Sequence, residues 1–184
     1  MSPTLTTSPD LAPGRPHAEL EIVGADLSGS RLEGAGFLSC EFRSVEADVA
    51  RWRGVNARLT TFRDSRLTGI QLNESALREC LFVDTRLDMA NFRLARLERV
   101  TFRDCSLVEA DFADADLDTV RFERCRLNGA GFRDARCRAT DLRGSALEDV
   151  DGAGGLAGAT IDAVQLMELA PALARHLGLR VTDD

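Results

Sequence analysis

The sequence predicts an all-β solenoid of square coils with a short C-terminal helical cap. Three observations carry that prediction. A large apolar residue returns at every fifth position from Ile22 to Leu147, 26 positions in all, with Ala47, Ala57 and Cys137 as its smallest occupants. On a second register, positions 25 to 150 in steps of five, Ala, Ser, Thr, Val or Cys stands at 25 of 26 places, Ile70 being the exception. All nine Phe residues fall on the first register. Helices repeat near every 3.6 residues and half-buried strands every second, so a period of five fits neither. A unit this short cannot bury its own apolar face and must stack on copies of itself.

The elements follow in order. Five residues make one side of a coil, with the small and the large residue pointing inward and the other three facing water or turning the corner. Four sides give twenty residues per coil, and successive coils stack about 4.8 Å apart as parallel strands do. Residues twenty apart should therefore match. One side stacks Phe42, Phe62, Phe82, Phe102 and Phe122, and the opposite side stacks Trp52, Leu72, Phe92, Phe112 and Phe132. Leu67, Leu87, Leu107 and Leu127 fill one of the remaining walls, and Leu77, Leu97 and Leu117 the other.

Three segments result. Residues 1–19 open with "MSPTLTTSPDLAPGRPH", rich in Ser, Thr and Pro, and read as a flexible tail. The tail has no apolar core of a signal peptide or membrane span, so a cytoplasmic protein is expected, without membrane contact. Residues 20–161 form the coil. Leu156 and Ile161 stand one residue out of register, which marks its end. Residues 162–184 form a helical cap and dimerisation segment: Asp162 and Gln165 read as a capping box, Pro171 is expected to divide two short helices, and Gly178 to close the second. Leu166, Leu169, Leu173 and Leu177 recur at helical spacing and are expected to line a homodimer interface.

The pentapeptides "ADLSG" (25–29), "ANFRL" (90–94), "ADFAD" (110–114), "ADLDT" (115–119) and "TDLRG" (140–144) resemble the consensus of the pentapeptide-repeat proteins. The resemblance implies a right-handed quadrilateral β-helix. Unbroken by loops and followed by a helical module, the chain is most similar to the loopless Mfp and Qnr type within that family. That similarity implies a non-enzymatic homodimer that imitates duplex DNA, binds DNA gyrase or another type II topoisomerase, and protects against drugs or toxins directed at it. The alternative is a general interaction scaffold with an unrelated partner.

Composition narrows the function. The formal charge is −7, from 30 acidic and 23 basic side chains, all of the basic ones Arg. This argues against nucleic acid or an anionic membrane as the direct partner, because phosphate binding rests on clustered positive charge. No catalytic, cofactor or metal site is expected: His17 and His176 are isolated, and no phosphate loop or ligand spacing occurs. Cys40, Cys80, Cys105 and Cys125 occupy small inward positions and Cys137 a large one, so all five read as reduced, space-filling thiols.

The surface remains. Asp64, Asp84 and Asp104 share one edge, one per coil, and Glu109, Asp111, Asp114, Asp116 and Asp118 form a belt with no basic residue between Arg103 and Arg121. Both are expected to contact the partner, the edge more than the belt. Duplex DNA carries one charge per about 1.7 Å, so a rod of about 34 Å would need about 20 negative charges to copy it. Residues 20–159 supply a net of −4, and the four walls carry −1, −4, −1 and +2. Only local patches can imitate a phosphate strand.

Overall fold

The computed structural model describes residues 4–6 and 10–182, and the chain winds through them as a parallel-strand square solenoid. The first wall is a seven-stranded parallel sheet of Thr4–Thr6, Leu20–Val23, Glu41–Arg43, Thr61–Arg63, Leu81–Val83, Thr101–Arg103 and Arg121–Glu123. The fourth is its counterpart, of Pro16–Ala18, Gly36–Leu38, Asn56–Arg58, Ala76–Arg78, Arg96–Glu98, Asp116–Asp118 and Arg136–Arg138. The second wall, centred on Leu67 and its equivalents, and the third, centred on Leu72, are joined by single parallel bridges such as Arg66↔Arg86 and Asn91↔Asp111. Partners stand twenty residues apart, as in Phe102↔Phe122 and Leu97↔Leu117.

The interior follows both registers. Phe62 and Phe82 stack with ring centroids 4.7 Å apart, Phe82 and Phe102 at 4.8 Å, and Phe92 and Phe112 at 4.8 Å, each pair nearly parallel. Across the coil, Phe92 meets Phe102 edge to face at 5.9 Å. Both geometries suit the ring quadrupole. The irregular occupants compensate one another in volume. Trp52 is flanked in its own coil by Ala47 and Ala57, and Ile70 lies on its ladder between Ala50 and Ala90, all of them buried. Dense interiors tolerate a large residue where its neighbours shrink. The indole N–H of Trp52 donates to Ser30 Oγ at 2.9 Å.

The structure differs from the sequence reading at both ends. The sequence predicts a tail over 1–19, of which 1–3 and 7–9 lie outside the described residues, but Pro16–Ala18 pairs with Gly36–Leu38, the His17 ring stacks on Phe37 at 5.5 Å, and the backbone of Thr4–Thr6 pairs with Leu20–Ile22. The coil starts earlier because His17 fills a large inward position, with Arg15 where a small residue is the rule. At the other end the bridge Asp141↔Thr160 spans nineteen residues, which explains why Leu156 and Ile161 pack one place out of register. A single helix, α1 (Ala163–Leu177), follows, with Pro171 inside it. Gln165 and Leu169 before the proline and Ala172 and Leu173 after it all pack toward the last coil, and this anchoring on both sides offsets the lost hydrogen bond. The capping box of Asp162 and Gln165 is formed, and Gly178 closes the helix at φ 68°.

Candidate functional site

The outward positions of each pentapeptide precede and follow the large residue, and the last of them turns the corner in the left-handed region. Asp64, Asp84 and Asp104 occupy one such corner, between the first and second walls, with φ of 52°, 47° and 53°. Aspartate is enriched in that conformation, so the backbone by itself accounts for part of this ladder. Side-chain geometry then separates the three. Asp104 accepts two hydrogen bonds from Arg124, both at 2.7 Å, and the guanidinium holds its carboxyl below the usual range. Asp64 and Asp84 have no arginine within ion-pair distance among the described residues.

The belt is compensated, contrary to the sequence reading. Arg93 reaches both Asp111 and Asp114 at 3.3 Å, Arg136 pairs with Asp116 at 3.4 Å, and Arg138 with Asp118 at 2.9 Å. The counter-charges lie about one coil away rather than along the chain, so no basic neighbour was visible in the local sequence. Glu109 alone of the belt stays unpaired among the described residues. The pattern is widespread: among the described residues eighteen arginine–carboxylate ion pairs cover the rod, most of them joining neighbouring coils. Arg103 with Glu123, Arg78 with Glu98 and Arg53 with Glu74 are typical. Arginine suits the task, because its planar fork reaches a carboxylate one coil away with two donors.

The carboxylates left over are not scattered. Between residues 20 and 159, Asp26, Glu33, Asp64, Asp84, Glu109, Asp134, Glu148 and Asp149 have no arginine within ion-pair distance. Glu33 and Asp134 lie on the third wall, and the other six lie on the second wall or at the corner leading into it. Asp26 is held by Ser28 and Glu148 by Asn128, neither of which cancels a charge. Asp64 and Asp84 line a shallow groove of about 470 Å³ with Ser44, Glu46, Arg66 and Arg86. Arg66 is engaged by Glu46 and Asp48. Asp26, Glu148 and Asp149 were not singled out from the sequence, although the net of −4 on their wall was the signal for them.

The expected dimer face divides in two. Leu169 is 2% exposed in the core cluster and Leu173 packs against that cluster, so the last coil takes up both. Leu166 and Leu177 point outward and, with Met167, expose 51%, 67% and 74% of their surface. No cluster of metal-ligating side chains occurs among the described residues, and none of their helices is long and apolar enough to cross a membrane. The thiols lie in the core: burial pushes Cys80 up to about 11 and raises Cys40 and Cys137.

Residues 59–132 match the family profile described as "Pentapeptide repeat region". No curated protein matches the sequence. Among solved structures, the chain is similar to full-length QnrB1, a plasmid-mediated fluoroquinolone resistance protein, at 20% identity over 91% of this chain and 92% of that one, with a TM-score of 0.42. It is also similar to HetL, a pentapeptide repeat protein involved in heterocyst differentiation regulation in the cyanobacterium Nostoc, at 18% identity over 82% and 89% of the two chains, with a TM-score of 0.37. A pentapeptide repeat protein of the Arabidopsis thaliana thylakoid lumen matches at 18% identity over 68% and 70%, with a TM-score of 0.21.

Proposed function

We propose that the chain is a pentapeptide-repeat protein that acts without catalysis, as a binding protein whose second wall receives a basic protein surface. One observation carries the reading: most carboxylates of the rod are tied up in ion pairs, and six of the eight left without an arginine gather on one wall and its corner, where Arg126 is the one arginine without an ion pair among the described residues. Free carboxylates offer the partner's arginines and lysines contacts that do not require breaking an existing pair. Their one-per-coil spacing at Asp64 and Asp84 suits a surface built to follow a phosphate strand. The partner that fits is the DNA-binding saddle of a type II topoisomerase such as gyrase, as the sequence resemblance implies. Occupying that saddle would modulate the enzyme or shield it from drugs and toxins that act on its DNA complex.

The homodimer belongs to the same proposal, with its face redrawn to Leu166, Met167 and Leu177. These residues form an uncovered apolar stripe on the side of α1 away from the coil. Leu166→Asp with Met167→Asp should halve the mass seen by light scattering while leaving the coil folded, and a parent that is monomeric at micromolar concentration ends the dimer idea.

The functional test is a gyrase supercoiling assay with added protein. Inhibition that weakens steeply as salt rises is expected, since exposed charges are screened within about 10 Å at 0.1 M. Failure to bind gyrase or topoisomerase IV at low salt overturns the topoisomerase assignment.

A further inference from the structure

The small inward positions also decide which thiols can meet. Cys40 and Cys80 share a ladder but are separated on it by Thr60, so they stand two coils apart, beyond disulfide reach. Cys137 occupies a large position on the fourth wall, away from the others. Cys105 and Cys125 alone are vertical neighbours on adjacent coils. Their register is fixed by the pairing of Phe102 with Phe122 and by the Arg126 N–H that donates to the Cys105 carbonyl at 3.0 Å. Adjacent coils place Cα atoms about 4.8 Å apart, inside the window of about 4.4–6.8 Å that a disulfide accepts.

We propose that Cys105 and Cys125 form an oxidisable dithiol that closes to a disulfide between neighbouring coils when the protein meets a peroxide. The electrostatics match that chemistry. The neighbouring Cys125 holds the Cys105 thiol below its usual range, while Cys105 and burial push Cys125 up. That asymmetry favours Cys105 as the attacking sulfur, and the vertical pairing of the two thiols serves either order. Its thiolate takes one peroxide oxygen, the O–O bond breaks, and the hydroxide that leaves is protonated to water. The Cys125 sulfur then attacks the sulfenic sulfur of Cys105, and its proton leaves with the displaced hydroxyl as a second water. Two thiols and one peroxide become one disulfide and two waters, and the two electrons lost by sulfur reduce the peroxide.

Access runs through the corner. Each sulfur lies directly after an exposed turn residue, Asp104 or Arg124, so brief opening of that turn admits a molecule as small as peroxide. The ladder spacing exceeds the Cβ separation of about 3.8 Å that disulfides prefer, so the two side chains must lean together. A bond formed under such strain is readily reduced again.

The test treats reduced, native full-length protein with hydrogen peroxide and follows intact mass and a non-reducing tryptic map. The expected result is a loss of about 2 Da, the two hydrogens removed. The peptide Asp104–Arg121 should be joined to the dipeptide Cys125–Arg126, with Cys40, Cys80 and Cys137 still free. Dithiothreitol should restore the starting mass. In Cys125→Val the mass loss should vanish and oxygen should accumulate on Cys105, while Cys40→Ala should leave the linkage unchanged. An unchanged parent mass, sulfinic acid on Cys105 of the parent, or a linkage between any other pair overturns the proposal. If Cys125→Val does not fold, the parent's map decides.

Discussion

The interior and the surface of this rod share the twenty-residue spacing and use it differently. Inside, Phe62 lies on Phe82 and Leu97 on Leu117, because dense packing rewards like shapes stacked on like. Outside, Arg103 meets Glu123 and Asp104 meets Arg124, because like charges one coil apart would repel. The second wall and the corner leading into it hold most of the carboxylates between residues 20 and 159 that find no arginine. Asp64 and Asp84 follow one another at a corner with no arginine between them, and Glu109 and Asp149 stand unpaired on the wall's other edge. Like charges also stack at Glu21↔Glu41, Arg43↔Arg63 and Arg58↔Arg78, so stacking alone marks nothing, and it is the carboxylates without an arginine that are the place to look for a partner.

The comparison can be broken first in the core. Phe102 lies between Phe82 and Phe122 and touches Phe92 across the coil, so Phe102→Ala should cost about 3–5 kcal/mol in chemical denaturation. A loss below about 1 kcal/mol would contradict the packing described. A smaller effect is expected at the cap. Gln165 donates to the carbonyls of Leu142 and Ser145 and accepts from the Asp162 N–H, so Gln165→Ala should cost about 1–3 kcal/mol by leaving buried carbonyls unpaired. A neutral Gln165→Ala would show that α1 is not fixed to the last coil.

The surface pairs set the edges of the pH range. Asp104, Asp141 and Glu79 have carboxyls held low chiefly by Arg124, Arg143 and Arg99. A depressed carboxyl adds stability above its unfolded value, about 3.9 for Asp, and loses it as pH falls through the folded value. The raised thiols act at the other edge: Cys80 adds stability below the unfolded thiol value and loses it as pH rises toward about 11. Thermal unfolding should therefore show a plateau between about pH 4 and pH 8.5, with losses on both sides. Cys80→Ala should soften the alkaline loss, and an unchanged alkaline limb would count against burial of the thiol charge as its cause.

Most of the interior was legible in the sequence, because a ladder forces the same residue type to recur and five-residue periodicity survives single exceptions such as Ile70. The first coil was not, since His17 is polar and Arg15 large where the register calls for apolar and small. Pro171 misled because local helix chemistry is overruled by the packing of Leu169 and Leu173. The ion pairs escaped notice for a geometric reason: Asp116 and Arg136 are distant along the chain and adjacent in space. The same geometry makes Asp64 and Asp84 stand out from Asp104 only once Arg124 is seen beside it.

The central claim is that the unpaired wall, rather than acidity in general, binds the partner. Two four-site variants test it, one carrying Asp64→Asn, Asp84→Asn, Glu109→Gln and Asp149→Asn, the other Asp111→Asn, Asp114→Asn, Asp116→Asn and Asp118→Asn. Both remove the same charge from a parent of −7, so long-range attraction changes equally. Affinity for gyrase at low salt should fall by about tenfold or more in the first and stay within about threefold in the second, because the belt carboxylates are already occupied by Arg93, Arg136 and Arg138. Equal losses in the two variants, or a larger loss from the belt, would contradict the account.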